Sequence, residues 1–334
     1  MIPHPDVINV LQTGFPLAER PFLIAAGPLG LTEESLMAAI GQLLQTGLLS
    51  RFGPLYNAER MGGGLTLAAL TAPAGLFDQV AAQVNAFPEV AHNYARDHLL
   101  NMWFVVATER REEIAPLLAE ITRQTGCPVF NLPKLAEYRL GFQVRLADGR
   151  VDTVPMAEAD ADPAGYPVGT PPELPDAVDR ALVAATQAGL PLVPRPYHAV
   201  ADQVGVTAQV VLDRLTRMLA WGWIRRLGVV PNHYALGLRG NGMSVWDLPD
   251  DQVDAWGMVV GGLGFVSHCY RRPRQGDAWP FNLFAMVHGP DRASVADRVA
   301  LIQTRLGDAQ RDHALLHSTR ILKKSGLRLK HSGA

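Results

Sequence analysis

At 334 residues the chain exceeds the roughly 100–150 residues of a typical domain, so two or more cores are expected. Hydrophobic residues make up 48 % and charged residues 19 %, and no apolar run reaches the roughly 20 residues that span a bilayer; with no secretory pattern in Met1 to Thr13, a cytoplasmic protein without a membrane segment is expected. The net charge of −2 gives no bulk attraction to nucleic acid, and Cys127 and Cys269 stand alone rather than in C-x-x-C pairs, so no metal site is expected from them.

In chain order, Glu19 to Ala26 and Thr32 to Gln45 read as two helices joined by the turn Gly27-Pro28-Leu29-Gly30. Thr32 is an N-cap, Glu33 and Glu34 complement the helix dipole in the first turn, and Leu36, Ile40, Leu43 and Leu44 form one apolar stripe at helical spacing. Gly47 ends the helix, and Leu48 to Asn57 reads as the wing of a winged helix-turn-helix unit. Next come Leu65 to Thr71, Ala74 to Phe87, Val90 to Asp97, Met102 to Thr108, Glu112 to Thr125 and a final strand near Leu135 to Val144. Strand, helix, strand, strand, helix, strand is the ferredoxin-like order. From Asp148 to Pro175 the chain is rich in Pro, Gly, Ala and Asp and reads as an exposed, semi-extended linker.

The whole plan then repeats. Gly47-Leu48-Leu49-Ser50-Arg51-Phe52-Gly53 returns as Gly222-Trp223-Ile224-Arg225-Arg226-Leu227-Gly228, and Val90-Ala91-His92-Asn93-Tyr94-Ala95-Arg96 as Val266-Ser267-His268-Cys269-Tyr270-Arg271-Arg272. Tyr197 to Val204 and Thr207 to Ala220, around Gly205, repeat the two helices. The fold class is therefore α+β, a tandem duplication of winged helix-turn-helix plus ferredoxin-like (βαββαβ) domain. Its units are residues 1–60 and 61–147, a linker over 148–176, then 177–235 and 236–334.

Side chains alternate along a strand, so Val90, His92, Tyr94 and Arg96 are expected on one face, and Val266, His268, Tyr270 and Arg272 likewise. A His, Tyr and Arg row is ill suited to packing under helices and belongs on the open face of the sheet. If the two copies pack sheet against sheet, both rows line a shared cavity able to hold a large polar ligand. Each residue also has an ordinary structural explanation: a hydrogen-bonded sheet histidine, a strand-forming tyrosine, a salt-bridged wing arginine at Arg51 or Arg226. Recurrence of the complete pattern is what favours chemistry, although duplication copies structural residues as well. His233 follows the second wing where the first has Ala58, so any role there belongs to one copy. Lys323, Lys324, Arg328 and Lys330 read as a solvated basic tail.

Winged helix-turn-helix plus ferredoxin-like domain resembles the Lrp/AsnC regulators, and His92-Asn93-Tyr94-x-Arg96 with Asn101-x-Trp103-Phe104 resembles the siroheme decarboxylases of that ancestry. Asn241-Gly242-Met243-Ser244-Val245-Trp246 is similar to the second subunit type of that family, so the chain resembles both subunits fused. The resemblance implies removal of two acetate carboxyls from siroheme, giving 12,18-didecarboxysiroheme for heme d1 or alternative heme synthesis. It further implies homologous decarboxylase subunits as partners of some fused forms, and no cofactor beyond the iron that the substrate carries. Under it, His92 and His268 are the proton donors, Tyr94 and Tyr270 orient them or bond the departing carboxylate, and Arg51, Arg96, Arg226, Arg272 and His233 bind the substrate. Two alternatives stand beside it. One is an Lrp/AsnC-type ligand-sensing, DNA-binding regulator, although Thr32 to Gln45 holds no Lys or Arg and the second helix offers only Arg214 and Arg217. The other is a tetrapyrrole carrier that binds through His92 or His268 without turnover.

Overall fold

The computed structural model describes residues 3–141, 143–154 and 174–324. Helices α1 (Pro5–Leu11), α2 (Pro21–Ala26) and α3 (Glu33–Gln45) open the first copy, followed by strands β1 (Leu49–Tyr56) and β2 (Gly64–Leu70). Then come α4 (Phe77–Ala86), β3 (Val90–Arg96), β4 (Met102–Thr108), α5 (Ile114–Thr125), β5 (Val129–Pro133) and β6 (Ala136–Leu140). A hairpin of β7 (Gln143–Ala147) and β8 (Arg150–Val154) precedes the second copy. That copy runs α6 (Ala177–Thr186), α7 (Pro196–Val204), α8 (Ala208–Ala220), β9 (Ile224–Pro231), β10 (Gly240–Asp247), α9 (Val253–Gly261), β11 (Val266–Arg271), β12 (Leu283–Gly289), α10 (Arg292–Leu306) and β13 (Asp312–Lys324). The α+β tandem duplication is thus present. Among the described residues, no single helix is long and apolar enough to cross a membrane.

Thr32 caps α3 by accepting from Ser35 N, and Thr207 caps α8 by accepting from Val210 N, which fixes where both second helices of the turn motif start. Glu33 does more than complement a dipole: it is buried and paired with Arg20. Helices α1 and α6, which the sequence reading did not anticipate, complete each helical unit. Their C-terminal turns descend on the wings because Gly53 and Gly228 face each other across the strands. A Cβ on Gly228 would meet Leu11 O at 2.2 Å. The wings themselves are not separate hairpins: β1 pairs antiparallel with β9, so each copy supplies the other's partner strand.

The ferredoxin-like parts merge into one nine-stranded sheet of order β5-β2-β4-β3-β13-β10-β12-β11-β6. Its edge strands, β5 and β6, are consecutive in the chain, so the chain passes directly from one edge of the sheet to the other. The outer face is covered by α4 and α5 over Val80, Val84, Phe104, Val106 and Ile121, and by α9 and α10 over Val260, Cys269, Val287, Val295 and Ile302. The inner face packs Trp103, Leu132, Met243, Val245, Trp279, Phe284 and Leu316 between the copies.

This strand order corrects several expectations. The fourth strand of the first copy is β5 rather than Leu135 to Val144; β6 crosses to pair with β11 of the second copy, and β7 turns back in the hairpin. The start of the expected linker is therefore structured, as β8 pairs with β7, whose Val144 is held through its carbonyl and amide by Gln12; residues 155–173 lie outside the described residues. Lys323 is not a solvated tail residue, since its Nζ donates to Asn85 O and Phe87 O at the end of α4, both at 2.8 Å. The side chain of Lys324, and Arg328 and Lys330, lie outside the described residues.

Candidate active site

A β-bulge between Val90 and His92 and another between Val266 and His268 decide which way each row points. Strict alternation would keep Val90 and His92 on one face. The extra residue breaks it, so Val90 and Val266 pack under the helices, while His92, Tyr94 and Arg96, and His268, Tyr270 and Arg272, turn to the inner face. Asn93 and Cys269 confirm the phase: Asn93 Nδ2 donates to Asn85 of α4 at 3.0 Å, and Cys269 Sγ to Gly257 O of α9. Register sets Tyr94 opposite Trp103 and Tyr270 opposite Phe284. The inner face is the open face that the sequence reading expected. It is filled centrally by aromatic side chains, and β13, β10 and β12 lie between β3 and β11 in the sheet.

Both arginines are anchored alike. Arg96 Nη1 donates to Leu316 O at 2.8 Å, and Arg272 Nη1 donates to Leu132 O. Both Nε atoms are buried with no hydrogen-bond partner. Burial holds each guanidinium down at about 10. Arg272 also stacks over Tyr270 at 5.0 Å. Burial raises both phenols, so Tyr94 and Tyr270 keep their protons at neutral pH.

Arg51 and Arg226 are engaged elsewhere. Arg51 Nη1 donates to Gln187 O at 2.9 Å and Arg226 Nη1 to Gln12 O, closing the C-terminal ends of α6 and α1. The wing residue whose charge acts on His268 is Arg225, next to Arg226. His233 packs edge-on to His288 at 5.2 Å and against Tyr234 at 4.4 Å. Tyr234 in turn acts electrostatically on Tyr94 and Arg96.

A polar chain missed in the sequence links these elements. His268 Nδ1 lies 2.6 Å from Ser267 Oγ, which lies 2.6 Å from His288 Nε2; His288 Nδ1 meets Asn241 Oδ1. Asn241 Nδ2 turns to Leu238 O at 3.4 Å, leaving Oδ1 as the acceptor. His288 must then donate from Nδ1 and accept from the Ser267 hydroxyl at Nε2. Ser267 accepts from His268 Nδ1, so the lone pair of His268 sits on Nε2.

Burial, with the electrostatic effects of His233, His268 and Arg298 adding to it, pushes His288 down to about 2. Burial likewise holds His268 down at about 4, against the opposing pull of Glu137. Both are neutral at pH 7. Because these values lie below the ordinary histidine value of 6.5, the unfolded chain takes up protons first on acidification. The stability from neutral burial is full above about pH 6.5 and is lost as pH falls through about 4. The melting temperature should fall between pH 7 and pH 4, and less steeply in a His288→Asn variant. Equal slopes in the two proteins would remove His288 from this account.

Comparisons with known proteins agree with this architecture. A family model described as the siroheme decarboxylase NirDL-like HTH domain matches residues 5–49 and 179–225, and an AsnC-like ligand binding domain matches 61–139 and 235–323. The chain is 30 % identical over 322 residues to a siroheme decarboxylase of Hydrogenobacter thermophilus, covering 95 % of this chain and 92 % of that protein. It is 54 % identical over 156 residues to the siroheme decarboxylase NirH subunit of Paracoccus pantotrophus, covering 47 % of this chain and 97 % of that subunit. Among solved structures, the siroheme decarboxylase NirDL in co-complex with an iron-uroporphyrin III analogue superposes with a TM-score of 0.70 at 25 % identity, covering 96 % of this chain and 92 % of that one.

Proposed function

The chain belongs to the siroheme decarboxylase family, and we propose that it removes acetate carboxyl groups from siroheme as carbon dioxide, in the cytoplasm, on the way to heme d1. Within the chain, the observation that carries this reading is the duplicated inner-face row of imidazole, phenol and buried guanidinium. A polycarboxylate needs charge-assisted donors, and a guanidinium fixed by a backbone carbonyl, with Nε still to be satisfied, is such a donor. Carbon dioxide leaves with cleavage of the bond between the methylene and carboxyl carbons. The electron pair stays on the methylene carbon, shared with the pyrrole, until a proton converts that carbon to a methyl group. The imidazole of the row supplies the proton, and the protonated phenol orients it or bonds the departing carboxylate. Electrons and atoms balance with no redox partner. Two such steps would give 12,18-didecarboxysiroheme.

The likeness to a protein named as a subunit supports homologous decarboxylase subunits as partners. A DNA-binding role is disfavoured, because Arg214 of α8 is spent on Asp176 and Asp179 and Arg217 lies over Trp221. The test is anaerobic incubation with siroheme, followed by mass spectrometry of the tetrapyrrole. Two successive losses of carbon dioxide are expected. Uptake without mass loss would make the chain a carrier, and no uptake would return the regulator.

A further inference from the structure

The rows are copies of each other, but their surroundings are not. Tyr94 faces Ile321 across the sheet, whereas Tyr270 faces Glu137. Leu316 and Leu132 accept from the two arginines at equivalent points, so Lys134 stands where the other copy has Ser318. In the repeat, Glu59 corresponds to Tyr234 and Arg225 to Ser50. Around His268 these four charged residues bond to one another: Lys134 Nζ lies 2.6 Å from both Glu59 and Glu137, and Arg225 Nη1 lies 3.3 Å from Glu137. Lys134 also reaches over the Tyr270 ring. Around His92 the same four positions hold Tyr234, Ser318, Ile321 and Ser50, none of them charged.

The consequence falls on the arginines. Arg272 has a carboxylate of its own chain, Glu59, acting on it. The groups acting on Arg96 are the phenols Tyr94 and Tyr234, and no carboxylate is among them. A buried cation without a counter-charge is costly to hold and is relieved by an incoming anion. Beside Arg96, Ser318 Oγ is a second buried polar atom with no hydrogen-bond partner. At the other row, a substrate carboxylate would have to compete with Glu59 for Arg272 and with Glu59 and Glu137 for Lys134 and Arg225.

We propose that the rows have parted in role: the His92, Tyr94 and Arg96 row receives a carboxylate of the anionic tetrapyrrole. The His268, Tyr270 and Arg272 row is occupied by the chain's own Glu59 and Glu137 and takes no substrate. This rests on the reading of function above and adds to it which half binds. Tyr234 then acts as a specificity residue, holding the place that a carboxylate fills in the other half.

The test is an anaerobic titration with siroheme, read by absorbance, on the wild type and on variants at the exchanged position. Wild type should bind one equivalent per chain. Tyr234→Glu puts a carboxylate beside Arg96 and should weaken binding at least tenfold, Tyr234→Gln should stay within threefold, and the reciprocal Glu59→Tyr should stay within twofold. Two equivalents bound by wild type, a Tyr234→Glu variant that binds normally, or a tenfold loss in Glu59→Tyr would overturn the proposal. The wild-type stoichiometry decides even if a variant does not fold. A wild type that takes up no siroheme is a different outcome: it sinks the reading of function, and this proposal with it.

Discussion

Replacing His92 by glutamine should lower kcat for siroheme decarboxylation by about 10²–10⁴-fold while leaving KM within a few-fold. Glutamine preserves a hydrogen-bonding group of similar reach but cannot deliver a proton, so the loss falls on the step after carbon dioxide departs and not on uptake. Uptake is assigned to Arg96, four residues further along the strand on the same face and held by Leu316 O. The neighbouring Tyr94 cannot readily take over, because burial holds its proton more firmly than in water. Nor does His268 substitute at neutral pH: its Nδ1 is committed to Ser267, and burial keeps the ring neutral, with a lone pair rather than a proton on Nε2. Single-turnover mass spectrometry checks this directly. A His92→Gln enzyme with kcat within threefold of wild type would remove the imidazole from the mechanism. A change confined to KM would make His92 a binding residue instead.

Much of this arrangement was legible because duplication amplifies a weak signal. One His-x-Tyr-x-Arg strand is ambiguous, whereas two at matched spacing place both rows on the face away from the helices. The alternation rule nevertheless failed at Val90 and Val266, since it assumes an unbroken pleat and a bulge adds one residue without any mark in the composition. Matching by repeat also hides what is not repeated. His288, Ser267 and Asn241 have Ala107, Ala91 and Leu65 as counterparts, so a search for matched pairs passes over all three. The charges that distinguish the halves were unread for the same reason. Arg51 and Arg226 show the converse: each bonds a backbone carbonyl at a helix end of the other copy, a structural task that duplication preserves and that accounts for their match by itself. Pairing between copies, as in β1 with β9 and β6 with β11, follows from long-range register that no local window contains.

The core between the copies makes the second large prediction. Trp103 is fully buried on the inner face, donates from its indole N–H to Leu100 O at 2.7 Å, and meets Trp279 edge-on at 4.9 Å. Trp103→Ala removes a large side chain from a packed interior and should cost about 3–5 kcal/mol in chemical denaturation. It also strips the Leu100 carbonyl of its donor, about 1–3 kcal/mol if the group stays buried, which falls within that loss rather than beside it. Phenylalanine separates the two contributions. Trp279 is equally buried, but its indole N–H has no hydrogen-bond partner, so Trp279→Phe discards an unsatisfied donor where Trp103→Phe discards a bonded one. Trp103→Phe should therefore be the more destabilising of the two by about 1 kcal/mol. Because Trp103 is the register partner of Tyr94, its loss should also depress turnover below the denaturation midpoint, whereas Trp279→Phe should leave turnover near wild type. Equal stability in the two phenylalanine variants would mean that the Leu100 bond contributes nothing measurable, and that aromatic packing alone holds the His92 row against the second copy.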